Sequence, residues 1–219
     1  GTTSRPKGVM ISHRNAWVNA IGTLAHLPMT PADRYLWTLP MFHANGWTYT
    51  WIVTAAAALH VCLRQVDAAT IYRLVNQERI TMLCAAPTVL IAIASGPDEG
   101  RRSLRRGVRV ATAGAPPAAA TIERIEGELG WTITQVYGLT ETAPFISICA
   151  PLPEHDALEP GERARIKARQ GVELMTSGDL RVVDEVMRDV PRGGAEHGEV
   201  VARGKVVRQG YYTAPGAAE

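Results

Sequence analysis

Apolar positions along this chain fall into two alternating patterns: stretches at the 3.6-residue spacing of a half-buried helix, and short apolar runs of strand length. Ser12 can cap a helix running to about residue 27, where Pro28 and Pro31 stop it. Residues 34–39 read as a strand ending at Pro40, 46–59 as a helix with an Ala-rich face, and 60–63 as a short strand. Asp67 is a plausible N-cap, and Ile71, Leu74 and Val75 form the i, i+3, i+4 stripe of an amphipathic helix. A strand over 81–86 follows, and Pro87 suits the first turn of a helix through about residue 94. After a loop over 96–100 come a strand over 108–113, a helix opened by Pro116 and reaching residue 129, and a strand over 131–136. This alternation predicts an α/β fold, a layered parallel-rich sheet covered by helices. Past residue 150 the character changes. Strand signals at 180–184 and 198–202, separated by turns, predict a smaller β-rich subdomain over 151–219, beside an α/β subdomain over 1–150.

Composition narrows the class. The 219 residues, 46% hydrophobic and 20% charged, suffice for one domain or slightly more, and fibrous or disordered composition is absent. A net charge of +2 is too small to argue for a nucleic-acid partner. The cluster Arg101, Arg102, Arg105, Arg106 and Arg109 reads as a solvated approach to a strand in preference to a patch for CoA phosphate or nucleic acid. Cys62, Cys84 and Cys149 are widely spaced among apolar neighbours, which argues against a disulfide framework or a CxxC metal site and fits a reducing, cytoplasmic setting. The longest apolar stretch, 51–63, is broken by Thr54 and His60 and is too short for a membrane span.

Three segments carry chemistry. The chain opens with Gly1-Thr2-Thr3-Ser4-Arg5-Pro6-Lys7-Gly8, in which hydroxyls and backbone N–H groups can wrap a triphosphate while Lys7 neutralises its β and γ oxygens. It is not a Walker loop, since Lys7 follows Pro6 and precedes Gly8 instead of opening a helix with Ser or Thr. Pro40-Met41-Phe42-His43-Ala44-Asn45-Gly46-Trp47 places an imidazole just after a strand end. Tyr137-Gly138-Leu139-Thr140-Glu141-Thr142 sets an aromatic face, hydroxyls and a carboxylate within six residues. Asp179, Asp184 and Asp189 read as structural turns, and no Ser-His-Asp set or activated Cys stands out.

At these residues the chain resembles the adenylate-forming superfamily, most closely the fatty-acid:CoA ligases (acyl-CoA synthetases). The resemblance runs nearly end to end, through Gly198-Glu199-Val200, Arg203-Gly204 and Gly210-Tyr211-Tyr212-Thr213-Ala214-Pro215. It implies two steps: ATP and a carboxylic acid give an acyl-adenylate and pyrophosphate, then CoA takes the acyl group. It further implies that Thr2, Thr3, Ser4 and Lys7 hold the phosphates, that Gly114, Ala115 and Pro116 line the adenine, and that Tyr137 stacks on the base framed by Gln135 and Gly138. Thr140 then bonds the α-phosphate, Glu141 holds Mg²⁺, and His43 lies beside the acyl carboxylate and offsets developing charge. Trp47 matches an aromatic that gates the acyl tunnel in long-chain ligases, although plain core packing is an equal reading for so large a ring.

Members of the family carry a long stretch before the opening loop. After the GYY segment they carry a ribose-binding Asp, a hinge and a small domain with the adenylation lysine, so this sequence reads as an interior segment. Ser177-Gly178-Asp179 is similar to the ribose signature but precedes Arg203-Gly204 where the family's copy follows it, and is read as a turn into a strand. Two readings stay open: a core of a medium- or long-chain acyl ligase, with an aryl-CoA ligase as a variant, or an isolated nucleotide-binding module that does not turn over. The resemblance also allows a homodimer.

Overall fold

A computed structural model describes residues 7–212. After Ser12 comes α1 (His13–His26), then β1 (Arg34–Trp37), a turn α2 (Ala44–Trp47), α3 (Tyr49–Ala55), β2 (Leu59–Cys62), α4 (Ala68–Gln77), β3 (Met82–Ala85), α5 (Pro87–Ala94) and α6 (Asp98–Arg102). The chain continues through β4 (Arg109–Thr112), α7 (Ala119–Arg124), a π-helical turn (Ile125–Leu129), β5 (Thr132–Gly138), a 3-10 turn (Thr140–Thr142) and β6 (Phe145–Cys149). A second 3-10 turn (Pro153–Ala157), α8 (Pro160–Lys167), β7 (Val172–Glu173), β8 (Asp179–Val183) and β9 (Glu199–Arg203) complete it. One seven-stranded sheet has the order β2-β1-β3-β4-β5-β6-β7; β2 through β5 run parallel, and β6 and β7 are antiparallel. Strands β8 and β9 pair antiparallel in a separate two-stranded sheet, so β7, although beyond residue 150, is the last strand of the larger sheet.

Alternation along the strands sends side chains to two apolar layers. Leu36, Leu83, Val110 and Ile133 join a mainly aliphatic layer with Ile71, Val75, Leu90, Ile93 and Ile122 from α4, α5 and α7. Tyr35, Trp37, Met82, Cys84 and Ala111 point the other way and pack with Ala20 from α1 and Tyr49, Ile52 and Val53 from α3. The second layer is rich in aromatic rings: Tyr35 stacks on Tyr49 with centroids 4.9 Å apart and meets Trp37 edge-on at 4.9 Å.

Local signals explain most boundaries. Ser12 and Asn15 form a reciprocal capping box, each accepting from the other's backbone N–H, and α1 ends just before Pro28. Asp67 caps α4 and Pro87 opens α5, as expected. Three expectations need correction. The helix expected over 46–59 starts only at Tyr49, because Ala44 through Thr48 all take positive φ and wind a left-handed turn. The helix expected from Pro116 starts at Ala119, since Pro117 disfavours helical geometry at the residue before it, and its second half relaxes into the π-helical turn closed by left-handed Gly130. The arginine cluster is not simply solvated. Arg101 reaches the Ala94 carbonyl, Asp98 and Glu128, and Arg109 pairs with Asp33.

Candidate functional site

The parallel strands end on one edge of the sheet, and there a cleft of about 690 Å³ opens over the aromatic layer. Such an edge is where open α/β sheets generally bind ligands, because the turns leaving the strands diverge there. Ala113 and Gly114 follow β4, Gly138 ends β5, and His43 stands six residues beyond β1; all four line the cleft.

Gly138 shows why the turn after β5 needs a glycine. A Cβ there would lie 2.0 Å from the Pro144 carbonyl oxygen. That carbonyl instead accepts the Leu139 N–H at 3.1 Å and the buried Thr142 hydroxyl, and the Leu139 N–H also reaches the Thr142 Oγ1 at 3.0 Å. The result is a tight knot that leaves Thr140 exposed and Glu141 half-buried on the cleft wall.

A second segment, the turn 208–212, ties the opening residues to that knot. The Met10 N–H donates to the Gly210 carbonyl at 3.0 Å, Gln209 N–H to Met10 at 3.1 Å, and Tyr212 N–H to Gly8 at 2.8 Å. On its other side the Arg208 N–H donates to the Glu141 backbone carbonyl at 2.8 Å, and the Tyr211 hydroxyl donates to the Glu141 carboxylate at 2.8 Å. Lys7 Nζ lies 5.2 Å, and the Arg208 guanidinium 4.2 Å, from the centre of the Tyr211 ring, within reach of a cation–π attraction. The hydrogen bond to Glu141 raises the Tyr211 phenol above its ordinary value, so its proton stays in place as the donor. Lys7, Glu141, Arg208 and Tyr211 thus share one wall.

His43 is exposed on the cleft lining and immediately precedes the left-handed turn; its side chain makes no cap, and its backbone carbonyl accepts the Gly46 N–H at 2.9 Å. Left-handed geometry costs roughly 1–2 kcal/mol per non-glycine residue, and four of its five positions are not glycine. Packing holds the turn in place: Trp47 is 6% exposed and meets Phe145 edge-on with centroids 6.0 Å apart, and a Cβ on Gly46 would touch the Trp37 ring at 2.6 Å. Trp47 both packs in the core and floors the cleft.

Of the residues singled out in the sequence, Lys7, His43, Trp47, Gly114, Gly138, Thr140 and Glu141 come together at this cleft. Ala115 and Pro116 are exposed next to it without lining it. Tyr137 is half-buried one residue away, and Gln135 is buried with its side-chain amide on the Val136 carbonyl and Gln170, outside the lining. Thr2, Thr3 and Ser4 lie outside the described residues. Sequence reading missed Asn15 and Asn19, spaced i, i+4 on α1. Asn15 donates to the Lys205 and Val207 carbonyls at 2.6 and 2.9 Å, and Asn19, 1% exposed, to Phe145 and Thr142 at 2.6 and 3.2 Å. Two amides on one helix face, bounded by apolar neighbours, are the signal that could have marked them.

The donor set suits one kind of metal. No group of three or more His, Cys, Asp or Glu side chains gathers among the described residues, so a cation here would meet one protein carboxylate, Glu141, and complete its shell with phosphate oxygens and water. Mg²⁺ binds in that way. Cys84 is no nucleophile, since burial pushes its thiol up to about 12.

Comparison with known proteins decides the family, since residues 1–212 match the one described as AMP-binding enzyme. The chain belongs to the AMP-binding enzyme family. It is 44% identical over 216 residues to "Probable acyl-activating enzyme 4" of Arabidopsis thaliana, covering 98% of this chain and 39% of that protein. It is also 44% identical over 215 residues to 4-hydroxybutyrate–CoA ligase 2 of Metallosphaera sedula, with the same coverage of 98% and 39%. The chain therefore spans about 39% of the length of these relatives. The fold is that of the Bacillus subtilis O-succinylbenzoate coenzyme A synthetase solved with ATP and magnesium ion, at a TM-score of 0.82 and 22% identity, covering 100% of this chain and 42% of that one. No helix among the described residues is long and apolar enough to cross a membrane.

Proposed function

We propose that the whole protein activates a carboxylic acid with ATP and passes the acyl group to CoA, and that this cleft holds the nucleotide. The reading is carried by one observation: Lys7, His43, Thr140 and Glu141, from distant stretches of sequence, line a single cavity at the ends of the parallel strands. The names of its relatives, which include acyl-activating enzymes and CoA ligases, support it.

The task set by the chemistry is to bring two anions together. A carboxylate oxygen attacks the α-phosphorus of ATP, the bond to the bridging oxygen breaks, and pyrophosphate leaves; the CoA thiol then attacks the acyl carbonyl and AMP leaves. Positioning and charge stabilisation supply such catalysis without a protein nucleophile. Lys7 neutralises the β and γ oxygens, the Thr140 hydroxyl donates to the α-phosphate, and the exposed His43 imidazole stands where the acid's carboxylate must approach. Thr2, Thr3 and Ser4 extend the phosphate contacts, Gly114, Ala115 and Pro116 with Gln135 and Gly138 frame the base, and Tyr137 stacks on it. Glu141 holds Mg²⁺, which when bound spreads the phosphate charge and favours attack at phosphorus.

Two observations bear on the acid. Trp47 is packed into the floor of the cleft, and relatives are named for 4-hydroxybutyrate and 2-methylpropanoate. Both favour a short aliphatic acid over the medium- or long-chain acid that the motifs alone suggested. The three free cysteines support a reducing, cytoplasmic setting. Pyrophosphate release by the full-length protein, measured with ATP and acids from acetate to palmitate, tests the reading. Short acids should turn over fastest, and residues 1–219 alone should bind nucleotide without turning over. Glu141→Ala should lower the rate about 100-fold or more with the fold intact; unchanged Mg²⁺-dependent turnover would remove Glu141 from the site.

A further inference from the structure

Glu141 is held at both ends by one short segment. Its backbone carbonyl accepts the Arg208 N–H and its carboxylate accepts the Tyr211 hydroxyl, each at 2.8 Å. The same segment is laced to Gly8 and Met10, close in sequence to Lys7, by three backbone hydrogen bonds, and Val9 and Tyr211 form an antiparallel bridge. Tyr211 itself is 8% exposed, and Arg208 and Lys7 both approach its ring. A half-buried carboxylate at the end of a flexible side chain would otherwise sample several orientations. Here the phenol, fixed by its own packing, selects one.

Resting on the reading of Glu141 as the metal-holding carboxylate, we infer that Tyr211 is a positioning residue for the divalent cation. It donates to Glu141 and fixes the orientation in which that carboxylate meets metal and phosphate. Hydrogen-bond partners of this kind orient a ligand before the metal arrives, and losing one commonly costs about 10-fold or more in metal affinity. Because the segment 208–212 also pairs with residues 8–10, it sets the carboxylate and the Lys7 cation in one frame, so that both address the same triphosphate.

The test uses full-length protein with ATP and Mn²⁺, reading free Mn²⁺ by electron paramagnetic resonance, and ATP binding in chelator by calorimetry. Tyr211→Phe keeps the ring, its packing and the approach of both cations, and removes only the hydroxyl. Mn²⁺ affinity in the ATP complex should fall about 10-fold, with metal-free ATP binding and the thermal midpoint unchanged. Wild-type Mn²⁺ affinity in Tyr211→Phe, alongside weakened binding in Glu141→Gln, would overturn the inference and leave the metal assignment standing. Wild-type affinity in Glu141→Gln would overturn that assignment and the inference with it. A matching loss of metal-free ATP binding in Tyr211→Phe would show that the hydroxyl merely holds the cleft together, and would also overturn it.

Discussion

The two ends of the parallel sheet solve the same problem in opposite ways. At the N-terminal end the strands begin among partners supplied by the protein. Asp33 accepts from the Thr30 N–H at 2.8 Å, the Thr81 hydroxyl at 2.7 Å and the Arg109 guanidinium at 2.6 Å; Arg34 pairs with Glu78; and the Trp131 indole donates to the Arg105 carbonyl at 2.9 Å. At the C-terminal end the turn after β5 is knotted through its backbone, while Lys7, His43, Thr140 and Glu141 face a cavity. Buried polar groups must find partners somewhere. One end closes on itself through its own side chains, and the other keeps side chains turned toward an open cavity. Substitutions at the two ends should therefore fail differently.

The largest effect is expected at Gly138. Adding a methyl group drives it into the Pro144 carbonyl oxygen, 2.0 Å from the ideal Cβ, and neither backbone can yield without moving Glu141. Gly138→Ala should cost about 1–3 kcal/mol of stability, as overpacking generally does, and lower pyrophosphate release about 100-fold, the scale of an ångström's misplacement of catalytic groups. Urea unfolding and the release assay on the same preparation check both halves. A folded variant with full activity would show that this knot does not position the site.

How much of this contrast is written in the sequence depends on the range of the interactions. The strand and helix order was legible because Ile71, Leu74 and Val75, or the apolar runs of β3 and β4, repeat locally with a period. Caps at Ser12 and Asp67 were legible for the same reason, each acting within three residues. The left-handed turn at 44–48 was not, because its cause is the burial of Trp47 against Phe145, almost a hundred residues away, and no local propensity announces it. Strand β6 was not expected, although Phe145–Cys149 is an apolar run. It pairs antiparallel with β5 only because the knot around Pro144 reverses the chain, and that reversal rests on contacts among Gly138, Leu139, Thr142 and Pro144 that no apolar period announces. Motif chemistry placed His43, Lys7 and Glu141 in one cleft, yet Tyr211 and Asn19 act through contacts 70 and 123 residues away in sequence, which only the fold brings together.

Asn19 sharpens the comparison with an intermediate effect. Its amide bridges the Thr142 and Phe145 carbonyls on either side of the Pro144 knot, so Asn19→Ala leaves two backbone acceptors without it. A buried acceptor left alone costs about 1–3 kcal/mol. The variant should lose that much stability, and a several-fold rise in KM for ATP should accompany it because the turn carrying Thr140 loosens. Asn19→Asp, which keeps the shape but offers no donor, should do at least as much harm. Hydrogen exchange at Leu139 and Thr142 provides the local reading, and unchanged protection there would separate α1 from the site.

The smallest effect belongs to the closed end, and its pH dependence is confined to acid. Burial alone would raise the Asp33 carboxyl, but hydrogen bonds from Thr81 and the Thr30 N–H, with the charge of Arg109, together hold it below its ordinary value of 3.8. A carboxyl depressed in the folded state contributes stability that is fully present above its unfolded value and is lost as pH falls through the lower, folded one. The wild-type protein should therefore lose this contribution only below about pH 4. Asp33→Asn lacks the charge at every pH, so its stability deficit against wild type should be constant near neutrality and shrink below about pH 4, where the wild-type carboxyl also becomes neutral. Its kcat and KM at neutral pH should match wild type, because Asp33 sits at the end of the sheet away from the cleft. A changed KM for ATP would mean that the two ends are coupled through β1, β3 and β4, and the division between a closed end and an open one would no longer hold.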